Sequence, residues 1–387
     1  MTDQPEFSEK ALLDAAARKA GSDDFGSDSY RTALAPLLHS VEHEMQLTAR
    51  GRGEVWNRVV DALANRAVLV AWEKANPELA AAPVQAPIVI LGLPRTGSSI
   101  LHETLASAPG MRTPLIWEVK DYSLVHEVQD AHADARIQEI EAAIARKNEA
   151  VPGYAAIHYE NPHIPMECVA LTMLDLVTPQ FSTLAWAPTY RRFMLSHDAR
   201  ETYRWHRRAV RFLQARTPGT LWVLKAPMHS LYTAALIEAY PDAILLQTHR
   251  EPVNVVGSFA SLCATLRKGW SDEVHPEQQA PDDAAYAAEL VMRAVRFREQ
   301  HPAEQARFHD VAFNRFMAEP EATLAAIYAH CGLSFTAAAG DAMLGYLNGR
   351  PRTKHGTHRY SLDQFGLTPE ALERLFADYA AGYGAYL

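Results

Sequence analysis

The segment Gly92-Leu93-Pro94-Arg95-Thr96-Gly97-Ser98-Ser99 combines residue types and spacing that can do chemistry. It directly follows the apolar run 88–92 (IVILG) and opens a helical pattern. In that position backbone N–H groups and the helix N-terminus hold a phosphate. The segment nearly fits the nucleotide-triphosphatase pattern, with two glycines separated by four residues, but Ser98 stands where that pattern needs lysine. The positive charge sits inside the loop instead, at Arg95, so the loop suits a phosphate and is poorly suited to a triphosphate. A second cation, Arg250, follows the apolar run 243–248 in the triplet Thr248-His249-Arg250. A triphosphatase needs an acidic residue at a strand end to hold Mg²⁺, whereas arginine there suits a second anion. The expected ligand is a nucleotide with two separated anionic groups. Lys225 closes a third apolar run, 221–225 (LWVLK), at the kind of strand end where ligand sites of α/β sheets gather.

These residues need a scaffold that aligns the three run ends. The runs 88–92, 221–225 and 243–248 read as strands buried on both faces of a parallel sheet. Helical patterns follow them at 98–108, 229–240 and 253–266, and this alternation implies a doubly wound α/β sheet with right-handed crossovers. Apolar stripes predict helices at 8–21, 30–48 and 54–75 before a proline-containing linker. Residues 284–333 read as helical again, and the tail from 349 ends in a helical PEALERLFADYAAGY. The fold expectation is a P-loop-like doubly wound parallel sheet of five or so strands, with an N-terminal helical extension (1–84) and a helical insertion (about 120–216). The α/β core spans 85–348 and a closing loop and helix span 349–387. An insertion of this length commonly covers a site.

Bulk properties exclude several classes. A net charge of −9 argues against a nucleic-acid binder. Three widely separated cysteines, Cys168, Cys263 and Cys331, suggest thiols in a reducing compartment. The polar start has no signal-peptide pattern and no run is long enough to span a bilayer, so the expected location is the cytoplasm. No metal site is expected, since nothing nearby completes a set around His355 and His358. The arginines 204, 207, 208 and 211 read as a solvated helix face rather than a polyanion stripe.

Two blocks, PIVILGLPRTGSSILHETLASAPG and LLQTHREPVNVVGSFASL, resemble the sulfotransferases that use 3′-phosphoadenosine 5′-phosphosulfate (PAPS), particularly the bacterial branch related to tyrosylprotein sulfotransferases. The resemblance implies that Arg95, Thr96, Gly97, Ser98 and Ser99 bind the 5′-phosphosulfate. It implies that Arg250, with Ser258 eight residues on, binds the 3′-phosphate. By the same likeness, Arg352, Lys354 and His355 in the tail become phosphate contacts of a loop closing over the nucleotide, with adenosine 3′,5′-bisphosphate as product.

The implied reaction is an in-line displacement at sulfur, governed by positioning and charge stabilisation. Arg95 would stabilise the leaving phosphate and the moving sulfuryl group, and Lys225 the sulfuryl oxygens. A base must take the acceptor's proton. Glu118, in Pro-Leu-Ile-Trp-Glu, occupies the place of a family glutamate base. His229 follows Lys225 at Lys-x-x-x-His, whereas steroid and phenol sulfotransferases carry Lys-x-His, so Glu118 is preferred. Trp117, Tyr122, Tyr154, Tyr159, Phe181 and Trp186 either line an apolar acceptor pocket or pack a core. The acceptor is expected to be a small apolar or phenolic hydroxyl compound; oligomeric state is not legible. Rival readings are a P-loop-type kinase or nucleotidase, a catalytically idle nucleotide-binding regulator, and an enzyme using the sulfate ester only as a transient leaving group.

Overall fold

The computed structural model describes residues 7–151, 155, 159–349 and 361–387. The chain divides into two compact units. The first comprises Met1–Val84, Pro114–Pro218 and Cys263–Val274, and the second Gln85–Thr113, Gly219–Leu262 and His275–Leu387.

The first unit is helical. Its N-terminal helices run Glu9–Ala20, Tyr30–His43 and Ala49–Ala75, where the sequence pattern placed 8–21, 30–48 and 54–75. Ser8 and Thr48 cap two of them by accepting from backbone N–H groups, which fixes where those helices begin. The predicted linker contains a short helix, Pro77–Ala81. Arg66 is fully buried and bonds the carbonyls of Phe25, Leu174 and Ser27 as well as Asp175, so no charge is left uncompensated. Its guanidinium also lies 3.5 Å from the Trp205 ring centre. Residue 66 thereby ties the long N-terminal helix to segments more than 100 residues away.

The second unit is built on a five-stranded sheet with order β2-β3-β1-β4-β5. The strands are β1 (Ile88–Gly92), β2 (Met111–Arg112), β3 (Leu221–Lys225), β4 (Ile244–His249) and β5 (Phe308–Ala312), and every pairing is parallel. β1, β3 and β4 lie where the apolar runs placed them, with β4 one residue later. Residues 284–333 are not helical throughout, because β5 interrupts them. Its sequence, FHDVA, is polar at the middle because it is an edge strand, half exposed on those positions.

One face of the sheet is covered by Leu101, Leu105, Phe316, Leu324, Ile327 and Met343, which pack on Ile88, Ile90, Val223, Leu246 and Val311. The helix Pro276–Gln300 packs against β1 and against the elements that follow β3. Each fully buried Leu or Ile of this kind contributes about 1.5–3 kcal/mol of burial free energy. The register sets Gly92 opposite Thr248 and Ile90 opposite Lys225, so the C-terminal ends of β1, β3 and β4 lie side by side. β1 sends the chain towards β2 and β3, while β4 and β5 lie on its other side. That is a topological switch point, where open α/β sheets form their ligand crevice. The helix predicted at 229–240 begins as a 3-10 turn, Pro227–Ser230, and becomes α-helical at Thr233–Ala239. The terminal helix is broken at Phe376 into Pro369–Leu375 and Ala377–Tyr383.

Candidate active site

Between β1 and the helix Ser98–Ala106 the loop takes two left-handed residues, Arg95 (φ 68°) and Gly97 (φ 81°). Left-handed conformation at a non-glycine residue costs about 1–3 kcal/mol and is retained mainly at functional sites. The first i→i−4 bond of the helix is Leu101 N–H to Gly97 O, so the N–H groups of Ser98, Ser99 and Ile100 precede the intrahelical ladder and face its N-terminus. At Gly97 a Cβ would lie 2.2 Å from the Phe313 ring. Gly97→Ala is therefore expected to destabilise the protein by about 2–4 kcal/mol, from left-handed strain plus overpacking. A denaturant midpoint that stays at the wild-type value would contradict this.

The loop is braced from below. Thr248, at the end of β4, and Thr96 share a hydroxyl–hydroxyl bond of 2.6 Å, and Thr96 Oγ1 donates onward to Leu93 O at 2.7 Å. The Thr96 hydroxyl is thus committed inside the loop, and what Thr96 offers an anion is its backbone N–H. Gly92 N–H donates to Ser230 Oγ at 3.0 Å, tying the loop to the turn after β3.

Above this base the cations converge. Arg95 Nε donates to Ser258 Oγ at 3.0 Å. Arg250 Nη1 reaches Arg95 O at 3.3 Å, and its guanidinium lies 4.4 Å from the Phe313 ring centre. Ser258 is two turns into the helix Pro252–Trp270 that Arg250 precedes. Lys225 is almost fully buried, and its Nζ donates to Ser99 Oγ at 3.0 Å. Beside it, burial and then the Lys225 charge push His102 down to about 3, so that imidazole is neutral. His102 Nε2 bonds Val223 O at 3.1 Å and Thr113 Oγ1 at 2.6 Å, a satisfied core histidine.

His229 is fully buried in the 3-10 turn after β3. Glu118 belongs to the first unit, in the short helix Ile116–Lys120, and is almost fully buried. Its Oε2 accepts the Leu115 N–H at 3.0 Å, which satisfies one donor of its own helix start. Burial and then the Glu118 charge push the neighbouring Tyr122 phenol well above its ordinary range. Asn65 fixes this turn: its Oδ1 accepts Tyr122 N–H at 2.9 Å, and its amide donates to Val119 O and Lys120 O.

Of the aromatic candidates, Tyr122 stacks on Phe212, Phe181 packs edge-on to Tyr190, and Trp186 sits beneath Arg191 and Arg267, all packing contacts within the first unit. Tyr159 is exposed. Tyr154, and the tail candidates Arg352, Lys354 and His355, lie outside the described residues. In the basic helix Arg204 meets Glu201 while staying exposed, Arg208 meets Glu73, and Arg211 bonds Ala82 O. The three cysteines remain thiols, and no helix among the described residues is long and apolar enough to cross a membrane.

Sequence reasoning did not single out Phe313, Ser230 or the bracing role of Thr248. Thr248 had a signal, since it sits at a buried strand end immediately before Arg250. Phe313 had none, because β5 was not recognised.

The Sulfotransferase family model matches residues 87–337, which include the loop, β3, β4, Arg250 and Ser258. The chain belongs to the sulfotransferase family. This sulfotransferase is 23% identical over 298 residues to the omega-hydroxy-beta-dihydromenaquinone-9 sulfotransferase Stf3 of Mycobacterium bovis, covering 73% of this chain and 72% of the relative. Its fold matches sulfotransferase STF1 of Mycobacterium tuberculosis H37Rv with a TM-score of 0.84 and 28% identity, over 97% of this chain and 100% of that one. Sulfotransferase STF9 of Mycobacterium avium matches with a TM-score of 0.85 and 25% identity, over 99% and 97% of the two chains. The protein is an enzyme of sulfuryl transfer.

Proposed function

We propose that the sulfuryl donor is PAPS and that the acceptor is a hydroxyl on a small apolar molecule. The observation that carries the donor reading is the Arg95–Ser258 bond at 3.0 Å, which joins the β1 loop to the helix that Arg250 precedes. Two cations and a serine then meet beside a helix N-terminus, a donor set that fits two separated phosphate groups. The set is unsuited to Mg²⁺–triphosphate. Asp310, on the neighbouring β5, is held by Arg298 and His249, and by those bonds is lowered to about 2 despite its burial.

PAPS, when bound, supplies the sulfuryl group and its 5′-phosphate is the leaving group. The N–H groups of 96–100 and the Ser98 and Ser99 hydroxyls hold the 5′-phosphosulfate end. Arg95 and Lys225 stabilise charge that develops during transfer, in a site where fixed donors need no reorganisation. Arg250 and Ser258 hold the 3′-phosphate. Glu118 takes the acceptor's proton, with His229 as the alternative base. The acceptor named for Stf3 is an omega-hydroxylated dihydromenaquinone, a hydroxyl on an apolar molecule, and this supports an apolar alcohol here.

Thermal denaturation with adenosine 3′,5′-bisphosphate, ATP and NAD⁺ tests the donor. A ligand specific to the folded state stabilises it by about 2.7 kcal/mol at a hundredfold excess over its Kd. The expected result is a large shift with the bisphosphate alone, mostly lost in Arg250→Ala. A shift with ATP and none with the bisphosphate would return the loop to a kinase-type reading.

A further inference from the structure

Behind Arg250 lies a buried polar chain that the reaction itself does not use. Side chains alternate along a strand, and on β4 Thr248 faces the loop through its bond to Thr96. Gln247 and His249 therefore face the other way, and both are fully buried. His249 Nε2 bonds Asp310 Oδ1 at 2.8 Å, and Nδ1 bonds the Tyr379 hydroxyl at 2.7 Å. Arg298 grips both Asp310 oxygens, at 2.6 and 2.8 Å, and also Gln247 Oε1 at 3.0 Å. Asp310 thus accepts from Arg298 and from the Nε2 side of the ring, while the Nδ1 side meets the Tyr379 hydroxyl. Tyr383 stacks on His249 with ring centres 4.8 Å apart, so the helix Ala377–Tyr383 is pinned to the end of β4 by hydrogen bond and ring contact.

An apolar set of equal volume would hold this edge at least as firmly, because burying polar groups costs desolvation. What the polar chain adds is direction: each bond fixes an angle as well as a distance. β5 works on both faces, since Asp310 holds His249 behind and Phe313, just after β5, lies under the Arg250 guanidinium in front. We propose that Tyr379, His249 and Asp310 are positioning residues that hold the β4 end so that Arg250 is set for a 3′-phosphate, which makes the C-terminal helix a determinant of nucleotide selectivity. This rests on the reading of Arg250 as the 3′-phosphate ligand. When the chain is cut, Arg250 must be ordered at the moment of binding, and only a ligand bearing a 3′-phosphate feels the difference.

Calorimetric titration of adenosine 3′,5′-bisphosphate and adenosine 5′-monophosphate into the wild type, Arg250→Ala, Tyr379→Phe and His249→Gln separates the outcomes. Tyr379→Phe keeps the ring and removes only the hydroxyl, and His249→Gln keeps a polar side chain of similar reach. The expected result is a bisphosphate affinity about three- to tenfold weaker in both, with monophosphate affinity within about twofold of wild type. Equal losses for both nucleotides, or no loss for either, overturn the positioning role while Arg250→Ala still shows selective loss. A wild type that binds the two nucleotides alike, or an Arg250→Ala without selective loss, overturns the nucleotide reading and this inference with it.

Discussion

Glu118→Gln is expected to lower kcat by about 10²–10⁴-fold, the contribution of a positioned general base, while donor binding stays near wild type. Glutamine retains a carbonyl oxygen that can accept the Leu115 N–H now taken by Glu118 Oε2, so the start of the Ile116–Lys120 helix is preserved. A base acts deprotonated, so kcat/KM rises with pH through its pKa, and that acidic limb should vanish in the variant. Tyr122 cannot substitute, because burial, the larger cause of its raised pKa, persists in the variant and keeps its phenol protonated at neutral pH. Steady-state rates across pH, with donor binding measured separately by calorimetry, provide the check. If Glu118→Gln keeps kcat within about threefold while His229→Gln loses the about 10²-fold or more due to a base, the proton goes to His229 and the preference between them is reversed.

Arg95→Ala is expected to cost about 10²–10³ in kcat, the scale seen when one fixed charge-stabilising donor is removed. The effect is structural as well as electrostatic. Arg95 is held left-handed in the loop, and its Nε is anchored on Ser258. In the proposed reaction that anchored charge would act on the leaving group. Arg95→Lys should recover part of the loss, since a point charge returns without the guanidinium's second set of donors. The distinguishing measurement is the split between kcat and KM. A raised donor KM with unchanged kcat would mean that Arg95 binds ground and transition states equally and does not accelerate transfer.

The sequence by itself determined the sheet's centre and the glycine-bounded loop after β1. β1, β3 and β4 are buried on both faces, and such strands must be continuous apolar runs, which are visible without a structure. The loop was legible because Gly92 and Gly97 occupy positions where a Cβ would strike Thr248 O and the Phe313 ring, and because Arg95 replaces the missing lysine's charge. Family likeness and helical spacing singled out Arg250 and Ser258, and the structure sets both against Arg95. β5 was not, because an edge strand with His309 and Asp310 between helical patterns has no apolar run to betray it. The pairing of Arg95 with Ser258 across 163 residues, the bond from Lys225 to Ser99, and the Tyr379–His249–Asp310 chain were decided only by tertiary structure. The reason is general. Local pattern reports a residue's burial and backbone preference, which neighbours in sequence determine, whereas a directional hydrogen bond between distant side chains depends on strand order and register, which no local pattern encodes.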